Sequence, residues 1–303
     1  MERESRPPMP PSPDLRATTG LILALVSSVL FAFNMTLARL SYAWGADAFT
    51  LNLTRVSRFA GILLAILVLS GRPIRPASGQ ALPRAGLGVL LSLQVLCILA
   101  AIETIPVGLA ILVYYLYPFG IALILAAFER HRLPRASVLA MLVAFGGLAL
   151  ALGPRMDALD GRGLALAAFA AAAFSVVFVW SGRIMAGTDH YTFVFHIMTA
   201  GATFLGITAL ARGEALAWPA EPAGWAAFLG SAAMFCLATL TMFLAIGRIG
   251  ALRMSFIDFG SPVWTILLGF LILGEQLTTI QGAGAALVVG AIVAHQIAET
   301  RRR

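Results

Sequence analysis

The sequence predicts an all-α membrane protein with ten transmembrane helices arranged as two inverted five-helix repeats. Three observations support this class: charged residues are scarce, long apolar runs recur, and the chain repeats itself. Of 303 residues, 60% are hydrophobic and 12% are charged, and the mean hydropathy is +0.90. Soluble domains carry about 25% charged residues, so this chain has too few to cover a globular surface. The composition excludes a soluble enzyme, a disordered protein and a nucleic-acid-binding domain.

Ten apolar stretches, each roughly 18 residues or longer, are long enough to cross a bilayer. Short breaks that carry Arg, Asp, Glu and Pro separate them. In chain order, the predicted spans are 18–40, 48–70, 84–102, 105–128, 135–153, 162–182, 190–211, 223–246, 250–273 and 279–298. The last span contains GAGAALVVGA. Its small residues predict close packing on another helix.

The segment before the first span, residues 1–16, is polar and rich in proline, and we expect a disordered cytoplasmic tail there. The apolar run from Gly20 to Leu40 is longer than that of a secretory signal, so the protein enters the membrane by its own helices. Cys97 and Cys236 lie inside apolar runs and are expected to be buried without a disulfide.

The distribution of arginine predicts the orientation of the bundle. With the N-terminus in the cytoplasm, fifteen arginines fall on the cytoplasmic side and four on the opposite side, while Arg55 and Arg58 lie within the membrane. An even number of spans returns the C-terminus to the cytoplasm. The basic excess then faces the cytoplasmic leaflet, which explains the pI near 10.4 without a nucleic-acid partner.

Two segments of the chain align without a gap when shifted by 144 residues. AIETIPVGLAILVYYLYPF (101–119) matches AIGRIGALRMSFIDFGSPV (245–263), which pairs Pro118 with Pro262. At a shift of 143, Gly20 pairs with Gly163. The chain therefore divides into two homologous halves, residues 17–155 and 160–298. Because five spans is an odd number, the second half enters the membrane from the opposite side. Inverted repeats of this kind are typical of alternating-access transporters, which bind substrate near the midplane.

The two repeats resemble the EamA-type repeats of the drug/metabolite transporter superfamily. IPVGLAILVYYLYPF closes the first half and GALRMSFIDFGSPVWTILLGFLILGEQLT closes the second. The resemblance covers nearly the whole chain after residue 17. It implies a multi-pass protein of the bacterial inner membrane with cytoplasmic termini, which moves small solutes and often exports amino acids or other metabolites. It further implies that helices 1, 3, 4, 6, 8 and 9 line the cavity. The acidic residues after the fourth and ninth spans, Glu129 and Glu275, differ in register by two residues, which departs from the family pattern.

Asp258 is the most informative single residue, because it lies about halfway through the ninth span. A carboxylate at that depth costs at least about 2.5 kcal/mol on insertion scales and should face the bundle interior. It is predicted either to bind a substrate ammonium or to carry a proton. The alternative is a structural ion pair with an arginine such as Arg55.

The repeat places Tyr114 opposite Asp258 in the partner helix. On a continuous helix Tyr114 and Tyr117 share one side, whereas Tyr115 points elsewhere. We expect the first two to contact substrate, by stacking or by attracting a cation, or else to pack with internal hydrogen bonds. Pro118 and Pro262 each leave a carbonyl one turn back without a donor and are expected to kink the helices that shape the cavity.

The other candidates are isolated polar residues within spans. Arg55 serves in gating or carboxylate binding, or snorkels to the interface. His196 is a possible proton carrier or a hydrogen-bonded packing residue. Asn34 and Gln94 are expected either to line the substrate site or to bond across helices.

The predicted function is secondary transport by alternating access, most simply the export of amino acids, with the tyrosines favouring aromatic or large neutral ones. A proton-coupled exporter of cationic drugs is the alternative within transport, and a polytopic membrane enzyme is the alternative from another class. The sequence has no nucleotide-binding or metal-binding motif, so no cofactor, metal or catalytic residue is expected. The expected partners are a small-molecule substrate and the lipid bilayer, with the chain as a monomer or homodimer.

Overall fold

A computed structural model of the chain describes residues 13–76, 78–129, 134–153, 160–213 and 215–300. Within these ranges it contains helices and no strands. The helices are α1 (Pro13–Ala43), α2 (Ala48–Leu69), α3 (Ala81–Ile102), α4 (Val107–Tyr114), α5 (Tyr117–Glu129), α6 (Arg135–Leu152), α7 (Gly161–Met185), α8 (His190–Arg212), α9 (Pro222–Ile249), α10 (Ala251–Asp258), α11 (Ser261–Leu273) and α12 (Thr279–Thr300).

Ten spans in the described part of the chain are long and apolar enough to cross a membrane, which confirms the predicted fold class. Two of these spans are broken, which means that each consists of two shorter helices. One is formed by α4 and α5 and the other by α10 and α11. The predicted tail lies outside the described residues up to residue 12, and residues 13–16 begin α1.

Successive spans run in opposite directions, so each one joins the two ends of the bundle. We call the end where α1 begins the N-terminal end. Contacts between distant residues agree with this arrangement. Arg72 is paired with Asp189 at the N-terminal end, and Arg39 is paired with Glu275 at the opposite end.

The two halves repeat each other in structure as well as in sequence. The four boundaries of α4 and α5 all recur in α10 and α11 after 144 residues. Equivalent glycines also make equivalent contacts. A Cβ at Gly20 would collide with Ile249, and a Cβ at Gly163 would collide with Ile105, which is 144 residues before Ile249. Each half therefore packs its first helix on the turn that precedes the broken span of the other half.

The small residues of the last span do permit close packing. Backbones of α6 and α12 approach so nearly that a Cβ on Gly284 would lie 2.5 Å from the carbonyl oxygen of Gly147. The sequence prediction of close packing for GAGAALVVGA is confirmed.

Candidate functional site

The site forms where the two broken spans meet, at about half the depth of the bundle. α10 ends at Asp258 and α5 begins at Tyr117, and these two helices are in contact. Asp258 is only 8% exposed, so its side chain faces protein rather than lipid. A buried carboxylate at this depth requires hydrogen-bond partners.

Hydroxyl groups supply those partners. The Tyr117 hydroxyl donates to Oδ2 of Asp258 at 2.7 Å, and the Ser261 hydroxyl lies 2.9 Å from Oδ1. Ser261 also lies 3.1 Å from the carbonyl oxygen of Ser28 on α1. The carboxylate of α10 thus bonds to α5 and α11, and Ser261 extends the network to α1. No arginine or histidine is bonded to it in the part of the chain that the structure describes.

Tyr117 and Ser261 occupy equivalent positions of the two repeats, 144 residues apart. Because both lie within hydrogen-bond distance of one carboxyl group, Asp258 lies close to the pseudo-twofold axis. Position 258 itself is not symmetric, since its equivalent is Tyr114. The repeat therefore places a single carboxylate where an exactly symmetric molecule would place two.

The three tyrosines form one aromatic cluster. Their ring centroids lie between 5.7 and 5.9 Å apart, and Phe174 stacks on Tyr114 at 5.5 Å. The expectation that Tyr115 points away from the other two is wrong. It assumed a continuous helix, whereas α4 ends at Tyr114 and the chain turns before α5 begins. Tyr117, not the repeat-equivalent Tyr114, makes the hydrogen bond to Asp258.

Each predicted kink coincides with a two-residue interruption of the helix, and Phe259 and Gly260 keep right-handed helical dihedrals. The two breaks fall at residues 115–116 and 259–260, and each proline is the second residue of the helix that follows. Lacking an N–H, Pro118 and Pro262 cannot bond to the carbonyls of Tyr114 and Asp258. The carbonyl of Asp258 therefore lacks the hydrogen bond that the N–H of residue 262 would donate in a continuous helix. Broken helices in the membrane are tolerated where they are buried in protein or line a cavity.

Arg55 and Asn34 belong to a second polar group, nearer the opposite end. Arg55 donates to Oδ1 of Asn52 at 3.0 Å and to Oδ1 of Asn34 at 3.4 Å. Its guanidinium lies 4.2 Å from the ring centroid of Phe235 on α9. The hydroxyl of Ser231, also on α9, bonds to Asn34 at 2.9 Å. Arg55 thus connects α1, α2 and α9, and the structural ion pair between Arg55 and Asp258 is absent.

His196 lies in a third group, at the N-terminal end, beside Arg84 on α3. Gln94 is buried in the middle of α3, and its Oε1 has no hydrogen-bond partner among the described residues. The structure thus unites Asp258 with the tyrosines and places Asn34 with Arg55, while His196 and Gln94 stand apart. Sequence reasoning missed Ser28, Ser261 and Arg84. Ser261 had a signal, since it is the repeat equivalent of Tyr117.

Two exposed ion pairs connect the halves, one at each end. Arg72 contacts Asp189 at 2.6 Å at the N-terminal end, and Arg39 contacts Glu275 at 2.5 Å at the opposite end. Burial alone would raise the pKa of Asp189. Hydrogen bonds from the Thr192 amide and from Arg72 outweigh burial, and the pKa lies below the ordinary value of aspartate.

A cavity of about 460 Å³ lies at the opposite end between α2, α3 and α8. Its lining includes Asp47, Phe49, Glu103 and Arg212. At the N-terminal end, α3 and α8 are in direct contact instead. They lie so close that a Cβ added at Gly88 would collide with the backbone of Ile197. These helices are therefore in tight contact at the N-terminal end, and a cavity lies between them at the opposite end.

Ten spans in two inverted halves, with a buried carboxylate where both interrupted spans meet, are the architecture of a secondary transporter. Similarity to known protein families defines this class more narrowly. The profile of the EamA-like transporter family matches residues 18–153 and 161–294, once for each half. The chain belongs to this family.

Two relatives of the chain are named threonine/homoserine exporters. RhtA of Escherichia coli K12 is 31% identical over 79% of this chain and 78% of its own length. RhtA of Salmonella typhimurium LT2 is 29% identical over 76% of each chain. A protein of known crystal structure superposes with a TM-score of 0.81 over 94% of this chain and 99% of its own, at 20% identity. That likeness concerns the fold alone.

Proposed function

We propose that this protein exports small neutral amino acids of the threonine and homoserine type across the bacterial inner membrane by alternating access. The observation that carries the proposal is Asp258, buried between the broken spans with hydroxyl partners and with no cationic side chain bonded to it in the described ranges. A carboxylate in that setting can accept the ammonium group that every amino acid carries. The names of the relatives support the substrate class.

The surroundings of the carboxylate favour a small hydroxylated side chain over an aromatic one. The tyrosine rings pack on one another and on Phe174 and Phe178, and Tyr115 and Tyr117 are buried, which leaves little ring surface for stacking on a substrate. Hydroxyl groups of Tyr117, Ser261 and Ser28 stand beside the carboxylate and can bond to a substrate hydroxyl. Export of aromatic or large neutral amino acids remains the competing prediction from sequence.

We place both termini in the cytoplasm, since fifteen arginines then lie on the cytoplasmic side and four on the other. The proposal makes the chain a transporter and not an enzyme, with a gradient as its energy source. Cysteine labelling of residue 2 and of residue 302 in intact cells tests the topology. Labelling of either position from outside would contradict it.

The test of substrate is counterflow in proteoliposomes preloaded with unlabelled solute. We expect saturable uptake of labelled threonine and homoserine and slower uptake of phenylalanine and leucine. Preference for phenylalanine would favour the aromatic class instead. Absence of uptake for the whole panel would reject amino acid transport.

Asp258 also supports a second candidate, a proton-coupled exporter of organic cations, because a buried carboxylate can exchange a proton for a cation. The two candidates differ in what Asp258→Asn does. We expect the variant to lose threonine counterflow at least tenfold, since the ammonium loses a charged acceptor worth about 1.5–3 kcal/mol. Gradient-dependent movement of a quaternary ammonium dye by the wild type, lost in the same variant, would identify the cation exporter. Wild-type counterflow in Asp258→Asn would reject both roles.

A further inference from the structure

Arg84 is a buried guanidinium that the proposed midplane site does not use. It lies in the first turn of α3, near the N-terminal end, and only 1% of it is exposed. Arginines near span ends usually snorkel toward water or headgroups. Arg84 does not, because protein encloses it on every side.

Its hydrogen bonds are few for its five donors. Gln80 Oε1, one turn earlier in the chain, accepts from Nη2. Nη1 lies 3.4 Å from Nδ1 of His196. That nitrogen is also 2.7 Å from the carbonyl oxygen of Thr192, which can only accept. Nδ1 therefore carries the proton and donates to Thr192, so it offers no lone pair to Arg84.

The guanidinium is left with one neutral acceptor. Its Nε has no hydrogen-bond partner among the described residues, and none of the carboxylates whose side chains the structure describes forms an ion pair with it. The ring of Phe193, 5.7 Å away, covers one face. A buried charge without a counter-ion is costly, and bidentate contact with a carboxylate is the geometry that a guanidinium satisfies best.

Arg84 also lies where the two halves separate. It belongs to α3 of the first half, and His196 belongs to α8 of the second. These helices touch at Gly88 and Ile197 in the present closed arrangement of this end, while the cavity lies at the other end. Rocking of the halves that closes the cavity would part α3 and α8 here and open Arg84 to solutes.

We propose that Arg84 binds the carboxylate of the amino acid when the amino acid enters from the N-terminal end. Gln80 orients the guanidinium, and His196 and Phe193 flank it. This inference rests on the proposed function and adds a second recognition point to it. Asp258 recognises the ammonium group at the midplane, whereas Arg84 recognises the carboxylate at the entrance.

The experiment compares threonine with threonine amide, which lacks the carboxylate, in counterflow. For Arg84→Gln we expect the threonine KM to rise about tenfold or more, as expected for loss of a charge-assisted hydrogen bond. The maximal rate and the KM of the amide should stay near wild type. Arg75→Gln, at an exposed arginine of the preceding loop, is the matched control and should change neither.

A second variant separates binding from folding. Gln80→Glu places a carboxylate beside Arg84, so it should raise the Tm of the purified protein and also raise the threonine KM. A merely structural Arg84 predicts that stability and transport change in the same direction. Unchanged threonine KM in Arg84→Gln, or loss of stability in both variants, would overturn the proposal.

Two further arms distinguish other outcomes. If Arg84→Gln has an effect only in liposomes that contain phosphatidylglycerol, the ligand is a lipid headgroup and the proposal is wrong. If the wild type moves no amino acid, the proposed function fails, and binding is then decided by Tm in sodium acetate against sodium chloride at equal ionic strength. Acetate should raise the Tm of the wild type and leave that of Arg84→Gln unchanged, and no difference between the two proteins would reject the carboxylate site.

Discussion

At the scale of residues, two hydroxyl groups occupy part of the hydrogen-bonding capacity of the Asp258 carboxylate. Tyr117 and Ser261 take one oxygen each, which leaves further lone pairs on both oxygens available. A substrate ammonium can therefore bind without displacing either hydroxyl. The same bonds fix the carboxylate between three helices, so its position depends on the packing of the whole centre.

Tyr117→Phe should remove one of these bonds and leave the ring in place. We expect the free energy of unfolding to fall by about 1.5–3 kcal/mol, the usual value of a hydrogen bond to a charged group. Thermal denaturation of the detergent-purified variant measures the loss. Tyr42→Phe, at a tyrosine that is 39% exposed, is the control and should stay within about 0.5 kcal/mol. Equal stability of both variants would mean that the Tyr117 bond contributes nothing.

At the scale of elements, the breaks at 115–116 and 259–260 make each span a pair of short rods. Each break also frees backbone groups near the carboxylate, as in transporters whose discontinuous helices bind substrate. The prolines stand just after the breaks and prevent the two rods from joining.

Pro262→Ala should join them. The new N–H can donate to the carbonyl of Asp258 and extend α11 backward, which should raise the Tm and slow counterflow severalfold. Pro222→Ala serves as the control, because Pro222 begins α9, where its missing N–H has no helical partner to lose. A Pro262→Ala variant with faster or unchanged counterflow would contradict this role for the break.

The contact between α12 and α6 can be tested within one helix, because α12 contains both the tightly packed Gly284 and the unobstructed Gly290 as a control. In Gly284→Ala the added methyl group would lie 2.5 Å from backbone atoms of Gly147 and Ala151, so we expect about 1–3 kcal/mol of destabilisation. Nothing lies within 4 Å of a Cβ at Gly290. Gly290→Ala should therefore be neutral or slightly stabilising. Thermal unfolding of the two variants side by side checks both signs.

Patterns of sequence predicted the spans, the repeat and the close packing of the last span, because hydrophobic length and close packing depend on residue type at known spacing. They did not predict the breaks, since Pro118 and Pro262 are also compatible with a kinked but continuous helix. The error at Tyr115 followed directly from that. Arg84 was missed for another reason: a charge near a span end looks the same in sequence whether it snorkels or is buried.

At the scale of the whole molecule, the ion pairs at the two ends link the halves that must move. Exposed pairs of this kind contribute about 0–1 kcal/mol each. Such weak links suit a protein that must open one end in every cycle. A stronger link at either end would hold the halves in one state.

Arg72→Gln should shift the population toward the state that is open at the N-terminal end. On a background without Cys97 and Cys236, a cysteine at Ala200, which faces Gly88, should then react faster with a membrane-impermeant thiol reagent. Arg75→Gln is the matched control and should not change the rate. Equal labelling in all three proteins would show that the Arg72 pair does not hold this end closed.

Acid should have the same effect as Arg72→Gln. The pKa of Asp189 is lowered in the folded protein, so its contribution to stability is present above the ordinary pKa of aspartate and is lost as pH falls through the lowered value. Labelling of the same cysteine variant, corrected for thiol ionisation, should therefore be flat down to about pH 4 and rise below it. In Asp189→Asn the labelling should be high at every pH.

The inequality of positions 114 and 258 has a consequence for charge balance. Two identical halves would supply either no carboxylate or a pair of them at the axis, and an ionised pair would repel each other unless a proton or a cation lay between them. Divergence of one copy to aspartate and the other to tyrosine leaves one negative charge at the centre of the molecule. One carboxylate can neutralise one cationic group at a time, so the proposed role of Asp258 predicts a stoichiometry of one ammonium, or one proton, for each turnover.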